Sequence, residues 1–168
     1  EGYPPPGEAS DIIEFGICTL DAAALTRHDK RCIWVEPARS TVSRFCTELT
    51  TITPEMHRGA GSLAEATAVL EGEYQTRERL WASWGDYDRR QFERNCGDMG
   101  IPYPFGPGHM NVKTLFALAL GLKHEVGTDA AYERLGLTME GTHHRGVDDA
   151  WNIAGLLAWL LKRFRAPR

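Results

Sequence analysis

The chain has 168 residues, which is long enough for one domain with a hydrophobic core. Its 42% hydrophobic and 25% charged residues are ordinary for a globular protein, and no stretch is apolar enough to span a membrane. The Pro-rich start lacks the basic and apolar parts of a signal peptide, so we expect a cytoplasmic protein. A net charge of −4 argues against general nucleic-acid binding, so any such contact should be local and short.

The first part of the chain is predicted to form two paired strands after a Pro/Gly-rich loop at residues 1–10. β-Branched and aromatic residues favour one strand at residues 11–20 and another at residues 31–35. Between them, residues 21–30 are expected to form a turn region. Pro37 ends the second strand, because proline cannot donate a hydrogen bond to a sheet.

Helix signals follow the two strands. Ser40 or Thr41 is the expected N-cap of a short helix. Pro54 suits the first turn of another, because the N–H that proline lacks would be unpaired there anyway. Ser62 and Glu65 have the spacing of a capping box, which predicts a longer helix with one apolar face.

The second half of the chain is predicted to contain one buried strand and several helices. Residues 80–84 are a short apolar run typical of a strand, and residues 86–99 form a polar helix. A brief strand or turn and then a helix are expected at residues 111–120, with further helices at residues 128–135 and 147–164. This order of elements favours α/β or α+β architecture in a single domain.

Trp84 to Asp88 form the first cluster that could carry chemistry, at the end of a predicted strand. Open α/β sheets place ligands at the carboxyl ends of their strands, which makes a carboxylate here a candidate functional group. Aspartate is also common at helix starts. Capping of the next helix by Asp86 or Asp88 therefore explains this cluster on its own.

His143 to Asp149 form the second cluster, which leads into the C-terminal helix. The helix dipole favours Asp148 and Asp149 in the first turn, which is again an adequate structural explanation. The dipole does not account for His143 and His144. An imidazole held near carboxylates at neutral pH is poised for proton transfer.

Together, the two clusters indicate phosphodiester hydrolysis assisted by divalent cations. That reaction needs several carboxylates around two metal ions about 4 Å apart, and a base for the attacking water. Hard oxygen ligands suit Mg²⁺ or Mn²⁺. Asp88, Asp149 and one histidine supply part of such a set.

At these residues the sequence resembles the DEDDh exonucleases of DnaQ type, which are named for four carboxylates and one histidine. Within them it is similar to the branch containing KapD and the Eri-type RNA exonucleases. The resemblance covers essentially the whole chain and rests on residues 5–8 with 11–16, an FCxxLTxIT signature at 45–53, and motifs at 84–88 and 144–152. It implies one exonuclease domain over residues 1–168 with a ribonuclease-H-like α/β fold, a mixed sheet flanked by helices.

The resemblance also assigns roles to the carboxylates. Asp88, rather than Asp86, matches the catalytic carboxylate of the second motif, which supports the metal site. Asp149 matches the metal ligand of the third motif. Two Mg²⁺ or Mn²⁺ ions are the implied cofactors.

His144 matches the general base that activates water in the family. His143 is an alternative candidate for the general base. It precedes Asp148 by five residues, the same spacing that separates His144 from Asp149. The positions of Gly146 and Asn152 in the motif favour His144. His143 is then expected to be an exposed loop residue.

Phe45 and Tyr87 match positions that hold the terminal base in the Eri-type enzymes. Stacking of an aromatic side chain on a base contributes about 1–3 kcal/mol and tolerates any sequence. Core packing on its short helix is an equally good explanation for Phe45. That explanation is weaker for Tyr87, which stands between two aspartates.

The sequence departs from the family at the first motif, an Asp-x-Glu strand that should stand just before the Pro-rich loop. Glu1 matches the loop after that motif and Glu14 matches the following strand, so neither replaces it. The sequence omits an N-terminal segment, or the chain has been shortened, or it is a natural degenerate member. We expect one of the first two, because losing this strand would leave its neighbours in the sheet unpaired.

The sequence therefore predicts a metal-dependent 3′→5′ exonuclease that acts on the 3′ end of RNA or short single-stranded nucleic acid and releases 5′-mononucleotides. Its activity should depend on the Asp-x-Glu motif. The alternative is a catalytically inactive protein of the same fold that binds or regulates a partner protein. A hydrolase of small phosphate esters is a weaker third hypothesis, which the FCxxLTxIT signature disfavours.

Overall fold

The computed structural model describes residues 9–165, so most of the predicted N-terminal loop lies outside the described residues. Strand β1 (Glu14–Asp21) and strand β2 (Thr26–Trp34) form an antiparallel hairpin whose register shifts between Ile17 and Thr19. Both predicted strands are therefore present. The first begins at Glu14 rather than at residue 11, and the second is longer than predicted.

The prediction of a turn over residues 21–30 is wrong for its second half. The turn occupies only residues 22–25, and strand β2 begins at Thr26. This part of β2 is polar and lacks the apolar residues by which a strand is recognised in a sequence. The guanidinium of Arg27 lies 4.3 Å from the ring centroid of Trp151. This cation–π contact stabilises the polar half of β2, where apolar side chains would otherwise pack.

Helix α1 (Arg44–Thr50) is capped by Ser43, whose Oγ accepts a hydrogen bond from the first turn of the helix at 3.1 Å. The predicted cap, Ser40 or Thr41, is therefore wrong. Ser40 is held elsewhere, because its N–H donates to the carboxylate of Asp11 at 3.1 Å.

The next two helical signals are confirmed. A short 3-10 helix (Pro54–His57) has Pro54 in its first turn. Helix α2 (Leu63–Tyr74) begins with the predicted capping box, in which the Ser62 N–H donates to Glu65 Oε2 at 2.7 Å and the Glu65 N–H donates to Ser62 Oγ at 3.3 Å.

Strand β3 (Trp81–Ser83) pairs in parallel with strand β4 (His109–Asn111). Within β3 only Ser83 is buried, so the strand predicted at residues 80–84 is shorter and more exposed than expected. The remaining four helices begin and end close to the predicted boundaries: α3 (Tyr87–Met99), α4 (Val112–Ala119), α5 (Thr128–Leu135) and α6 (Gly146–Arg165).

Two hydrophobic cores hold these elements together. The first joins the β1–β2 hairpin to α2 around Phe15, Leu63 and Leu70. The second joins α4, α5 and α6 around Phe116 and Leu156. Helix α6 also packs on β1 and β2, so it connects the two cores and fixes the position of its own first turn.

In the described part of the chain, β1 and β3 are not hydrogen-bonded to each other and belong to separate two-stranded sheets. None of the helices between residues 9 and 165 combines the length and the apolar character needed to cross a bilayer.

Candidate active site

The second-motif turn lies between β3 and α3. Gly85 has a φ of +96°, a left-handed conformation that glycine adopts without strain. Asp86 occupies the N-cap position of α3 without a side-chain cap hydrogen bond, and its carboxylate lies 3.7 Å from His109 Nδ1 and 3.7 Å from Arg89 Nε. Asp88 is in the first turn of α3. The two aspartates therefore have different surroundings although only Tyr87 separates them.

Asp88 and Asp149 interact across the space between α3 and α6. Desolvation raises the pKa of the Asp88 carboxyl, and the negative charge of Asp149 raises it further. Asp88 nevertheless has substantial solvent-exposed surface. The Asp88 carboxyl group is therefore partly desolvated, although the residue as a whole remains in contact with solvent.

Asp149 is half-buried in the first turn of α6. Desolvation raises the pKa of its carboxyl, and the nearby His143 and His144 only partly offset this effect. Its Oδ1 is fully buried and has no hydrogen-bond partner. An unpartnered buried carboxylate oxygen is costly, and a bound cation would satisfy it.

The fit to a divalent cation is incomplete in the described part of the chain. Asp88 and Asp149 offer the hard oxygen ligands that Mg²⁺ and Mn²⁺ prefer. Among residues 9–165, however, no group of three or more His, Cys, Asp or Glu side chains is placed to hold a metal ion. The pair would therefore supply only two of the carboxylates that a site for two metal ions needs.

His143 and His144 lie in the turn that precedes α6, and both are exposed. Their rings are stacked, with centroids 3.9 Å apart and an interplanar angle of 17°. His144 has a φ of +68°, in the left-handed region. Since both imidazoles lie close enough to Asp149 to affect its pKa, the geometry leaves both histidines as candidate bases.

Glu14 contributes to this site in a way that the sequence did not indicate. Its side chain is 4% exposed, and its carboxylate accepts hydrogen bonds from the N–H groups of Gly146 at 3.2 Å and Val147 at 3.3 Å. The guanidinium of Arg145 lies 3.6 Å from the same carboxylate. Glu14 thus caps α6 from strand β1. No local pattern could have revealed this, because 132 residues separate Glu14 from Gly146.

The two aromatic residues assigned to substrate binding are both on the surface. Phe45 is 51% exposed and Tyr87 is 63% exposed. Helix α1 has no buried residue, so the alternative that Phe45 packs in the core is wrong. Within residues 9–165, both rings are therefore accessible to solvent.

The architecture defined by these elements is a ribonuclease-H-like α/β fold with a pair of carboxylates between two helices. The structure matches, with a TM-score of 0.83, the nuclease domain of 3′hExo, described as a DEDDh family member bound to rAMP. The two are 23% identical, and the match covers 97% of this chain and 86% of the other. The predicted fold class is confirmed.

The family follows from the sequence comparison. The family model described as Exonuclease (RNase_T) matches residues 4–157, and the chain belongs to this family. Human ERI1 exoribonuclease 3 is 27% identical over 170 aligned residues, which cover 95% of this chain and 50% of that protein. The probable 3′-5′ exonuclease KapD of Bacillus subtilis is 31% identical over 68 residues, covering 40% of this chain and 33% of that protein.

The predicted resemblance to the DEDDh exonucleases and to the KapD/Eri branch is confirmed by these matches. The chain spans about half the length of the ERI1 exoribonuclease 3 proteins that it matches.

Proposed function

We propose that this protein is a metal-dependent 3′→5′ exonuclease that removes 5′-mononucleotides from the 3′ end of RNA or short single-stranded nucleic acid. The observation that carries the proposal is the relationship between Asp88 and Asp149. Two carboxyl groups from different helices interact closely enough to raise a pKa, and one buried oxygen has no partner. Two carboxylates with raised pKa values in a partly desolvated position are typical of functional sites, so a functional reason for the arrangement is favoured.

Asp88 and Asp149 are the proposed ligands of Mg²⁺ or Mn²⁺, with two ions bound. When bound, such ions lower the pKa of an attacking water and stabilise a leaving 3′-oxygen. His144 is the proposed general base, which takes the proton of the water at an imidazole nitrogen. Its exposure and its position beside Asp149 support this role, and they support His143 as the rival.

Two carboxylates are fewer than the four that the DEDDh family is named for. We propose that an Asp-x-Glu strand ahead of Glu1 supplies the other two, and that the activity depends on them. The separate β1–β2 and β3–β4 sheets are consistent with such a strand, because a further strand would have unpaired edges to join.

Phe45 and Tyr87 are the proposed contacts to the terminal base. Their exposure supports this role, since a stacking residue must be accessible. The structural relative 3′hExo binds rAMP, and the similar human protein is named an exoribonuclease. These relatives favour RNA as the substrate of this chain.

The test is digestion of a 3′- or 5′-labelled RNA oligonucleotide with Mg²⁺ or Mn²⁺, using the full-length gene product with any sequence that precedes Glu1. We expect stepwise shortening from the 3′ end, and loss of activity in Asp149→Ala and His144→Ala. Asp129→Ala is the matched control, because Asp129 also lies in the first turn of a helix, α5, but outside the candidate site. No shortening by folded protein would refute the proposal.

A second candidate is a catalytically inactive exonuclease-fold protein that binds or regulates a partner. Within residues 9–165 no three His, Cys, Asp or Glu side chains are placed to hold a metal ion together, which favours this candidate. Calorimetry of the full-length protein with Mn²⁺ separates the two candidates. Binding supports the enzyme, and no binding at millimolar Mn²⁺ leaves only the inactive protein.

A further inference from the structure

Asp148 is the neighbour of the proposed metal ligand Asp149, but its carboxylate is engaged elsewhere. Its Oδ2 accepts a hydrogen bond from the Thr142 N–H at 2.9 Å, and its Oδ1 pairs with Lys30 Nζ at 2.5 Å. Lys30 belongs to strand β2, and Thr142 immediately precedes the two histidines. One carboxylate therefore connects the first turn of α6 both to the β1–β2 hairpin and to the turn at residues 142–145 that contains the two histidines.

The chain passes directly over this carboxylate at Gly141. Gly141 has a φ of +78°, and a Cβ atom there would clash with the Asp148 carboxyl group. The contact thus leaves no room for a side chain at residue 141. Such a close approach indicates a defined geometry for the turn rather than a loose surface loop.

Asn152 fixes the same turn from one helical turn further along α6. It is fully buried, and its Oδ1 accepts from the Glu140 N–H at 3.0 Å. Its Nδ2 donates to the carbonyl oxygens of Glu140 and Asp148, each at 2.9 Å. Because residues four apart lie on one face of a helix, Asp148 and Asn152 together hold residues 140–142 against that face.

Only three residues, 143–145, remain between this anchored segment and the start of α6. The turn closes when the Arg145 N–H donates to the Thr142 carbonyl at 3.2 Å, and the Arg145 carbonyl accepts from the N–H groups of Asp148 at 3.0 Å and Asp149 at 2.8 Å. With both ends held, the stacked histidine rings are kept beside Asp149.

We propose that Asp148 is a positioning residue, which sets the placement of the His143–His144 pair through its hydrogen bond to Thr142 and binds neither metal nor substrate. This inference rests on the proposed nuclease function, because the histidines are placed for the reaction that it describes. Lys30 pairs with the other oxygen of the same carboxylate, Oδ1, and not with the oxygen that accepts from Thr142.

The experiment compares Asp148→Ala, Asp148→Asn and Lys30→Met in the full-length protein. Asp148→Ala removes the acceptor for Thr142, and displacement of a catalytic group by about 1 Å can lower a rate by about 100-fold. We expect kcat to fall by about that factor while KM and Mn²⁺ affinity stay unchanged. Asp148→Asn keeps a carbonyl oxygen that can accept from the Thr142 N–H, so most of kcat should be recovered. Lys30→Met leaves the hydrogen bond to Thr142 in place and should have a kcat near the wild-type value.

Two results would overturn the inference. Equal losses of kcat in Asp148→Ala and Asp148→Asn would show that the hydrogen bond to Thr142 is not the cause. Loss of Mn²⁺ affinity in Asp148→Ala, to the extent seen in Asp149→Ala, would make Asp148 a metal ligand instead.

A second readout keeps the inference separate from the proposed function. Amide hydrogen exchange at Thr142, measured without metal or substrate, should be faster in Asp148→Ala and unchanged in Asp148→Asn. If the wild-type protein has no nuclease activity, the proposed function fails, and the exchange rates still decide whether Asp148 holds the turn. Unchanged exchange in Asp148→Ala would refute the positioning role whatever the activity.

Discussion

The carboxylate of Glu14 on strand β1 accepts a hydrogen bond from the backbone N–H of Gly146, the first residue of helix α6. A negative side chain at a helix N-terminus satisfies unpaired N–H groups and interacts favourably with the helix dipole. This contact therefore fixes the hairpin to the helix turn that carries Asp149.

Replacement of Glu14 by alanine should lower the free energy of unfolding by about 2–3 kcal/mol, because it leaves two partly buried N–H groups and Arg145 without a charged partner. Urea denaturation monitored by circular dichroism measures the loss. Glu133→Ala, on the exposed surface of α5, is the matched control and should cost less than about 0.5 kcal/mol. Similar losses in the two variants would contradict the capping role of Glu14.

Gly16→Ala should prevent the close contact between β1 and α6, because a Cβ atom at Gly16 would overlap the backbone of Gly146. Backbone on both sides cannot move aside, so we expect a loss of more than about 3 kcal/mol or no folded protein. Gly72→Ala is the control, since a Cβ atom there meets nothing within 4 Å inside helix α2. It should stabilise the protein by about 0.5–1 kcal/mol. Wild-type stability in Gly16→Ala would show that β1 and α6 do not pack this closely.

Neutralising Asp88 should stabilise the metal-free protein. The raised pKa values of Asp88 and Asp149 mean that the folded state holds these protons more tightly than the unfolded state does. Stability that is present below the ordinary pKa of aspartate, about 4, is therefore lost as pH rises through the folded-state values. Asp88→Asn should raise the urea midpoint at pH 7 in EDTA and flatten its dependence on pH.

When Mn²⁺ is added, the urea midpoint of Asp88→Asn should instead fall below that of the wild type. Mn²⁺ stabilises the wild-type protein by binding to it, and the variant lacks one of the proposed ligands. Asp129→Asn, in the first turn of α5, serves as the control: it should lower the midpoint slightly through the lost helix-dipole interaction and leave the response to Mn²⁺ unchanged. A lower midpoint for Asp88→Asn in EDTA would show that the carboxyl group is stabilising without metal.

The two histidines should differ in their contribution to the rate. If His144 is the general base, His144→Ala should lower kcat by about 10²–10⁴-fold, and His143→Ala should leave kcat near the wild-type value. The pH–rate profile of His144→Ala should also lose its acidic limb. The opposite ranking would assign the proton transfer to His143, which the stacked rings permit equally well.

Removal of either exposed aromatic ring should weaken substrate binding with little effect on folding. Phe45→Ala and Tyr87→Ala should each raise KM for a single-stranded RNA by about 5- to 150-fold, the effect of losing one base stack of about 1–3 kcal/mol. Their thermal midpoints should stay close to that of the wild type, because both side chains are largely exposed. Leu118→Ala, at a 75% exposed position on α4, is the control. An unchanged KM in both aromatic variants would remove them from the substrate site.

Local signals in the sequence were sufficient for most elements. The capping box of Ser62 and Glu65 and the start of the 3-10 helix at Pro54 act within a few residues, so the sequence predicts them without knowledge of the fold. The long C-terminal helix α6 is likewise predicted from the helical spacing of its apolar residues. Strand β2 was predicted only in part, because its N-terminal half is stabilised by distant groups such as Trp151.

The sequence by itself also determined the family, because motif spacing survives where overall identity is low. Only the tertiary structure decided what each acidic residue contacts. Asp148 and Asp149 are adjacent in sequence, but successive residues point about 100° apart around a helix. One therefore meets Lys30 and Thr142, while the other has a buried oxygen without a partner and interacts with Asp88. Those partners come from distant parts of the chain, and folding alone brings them to the start of α6.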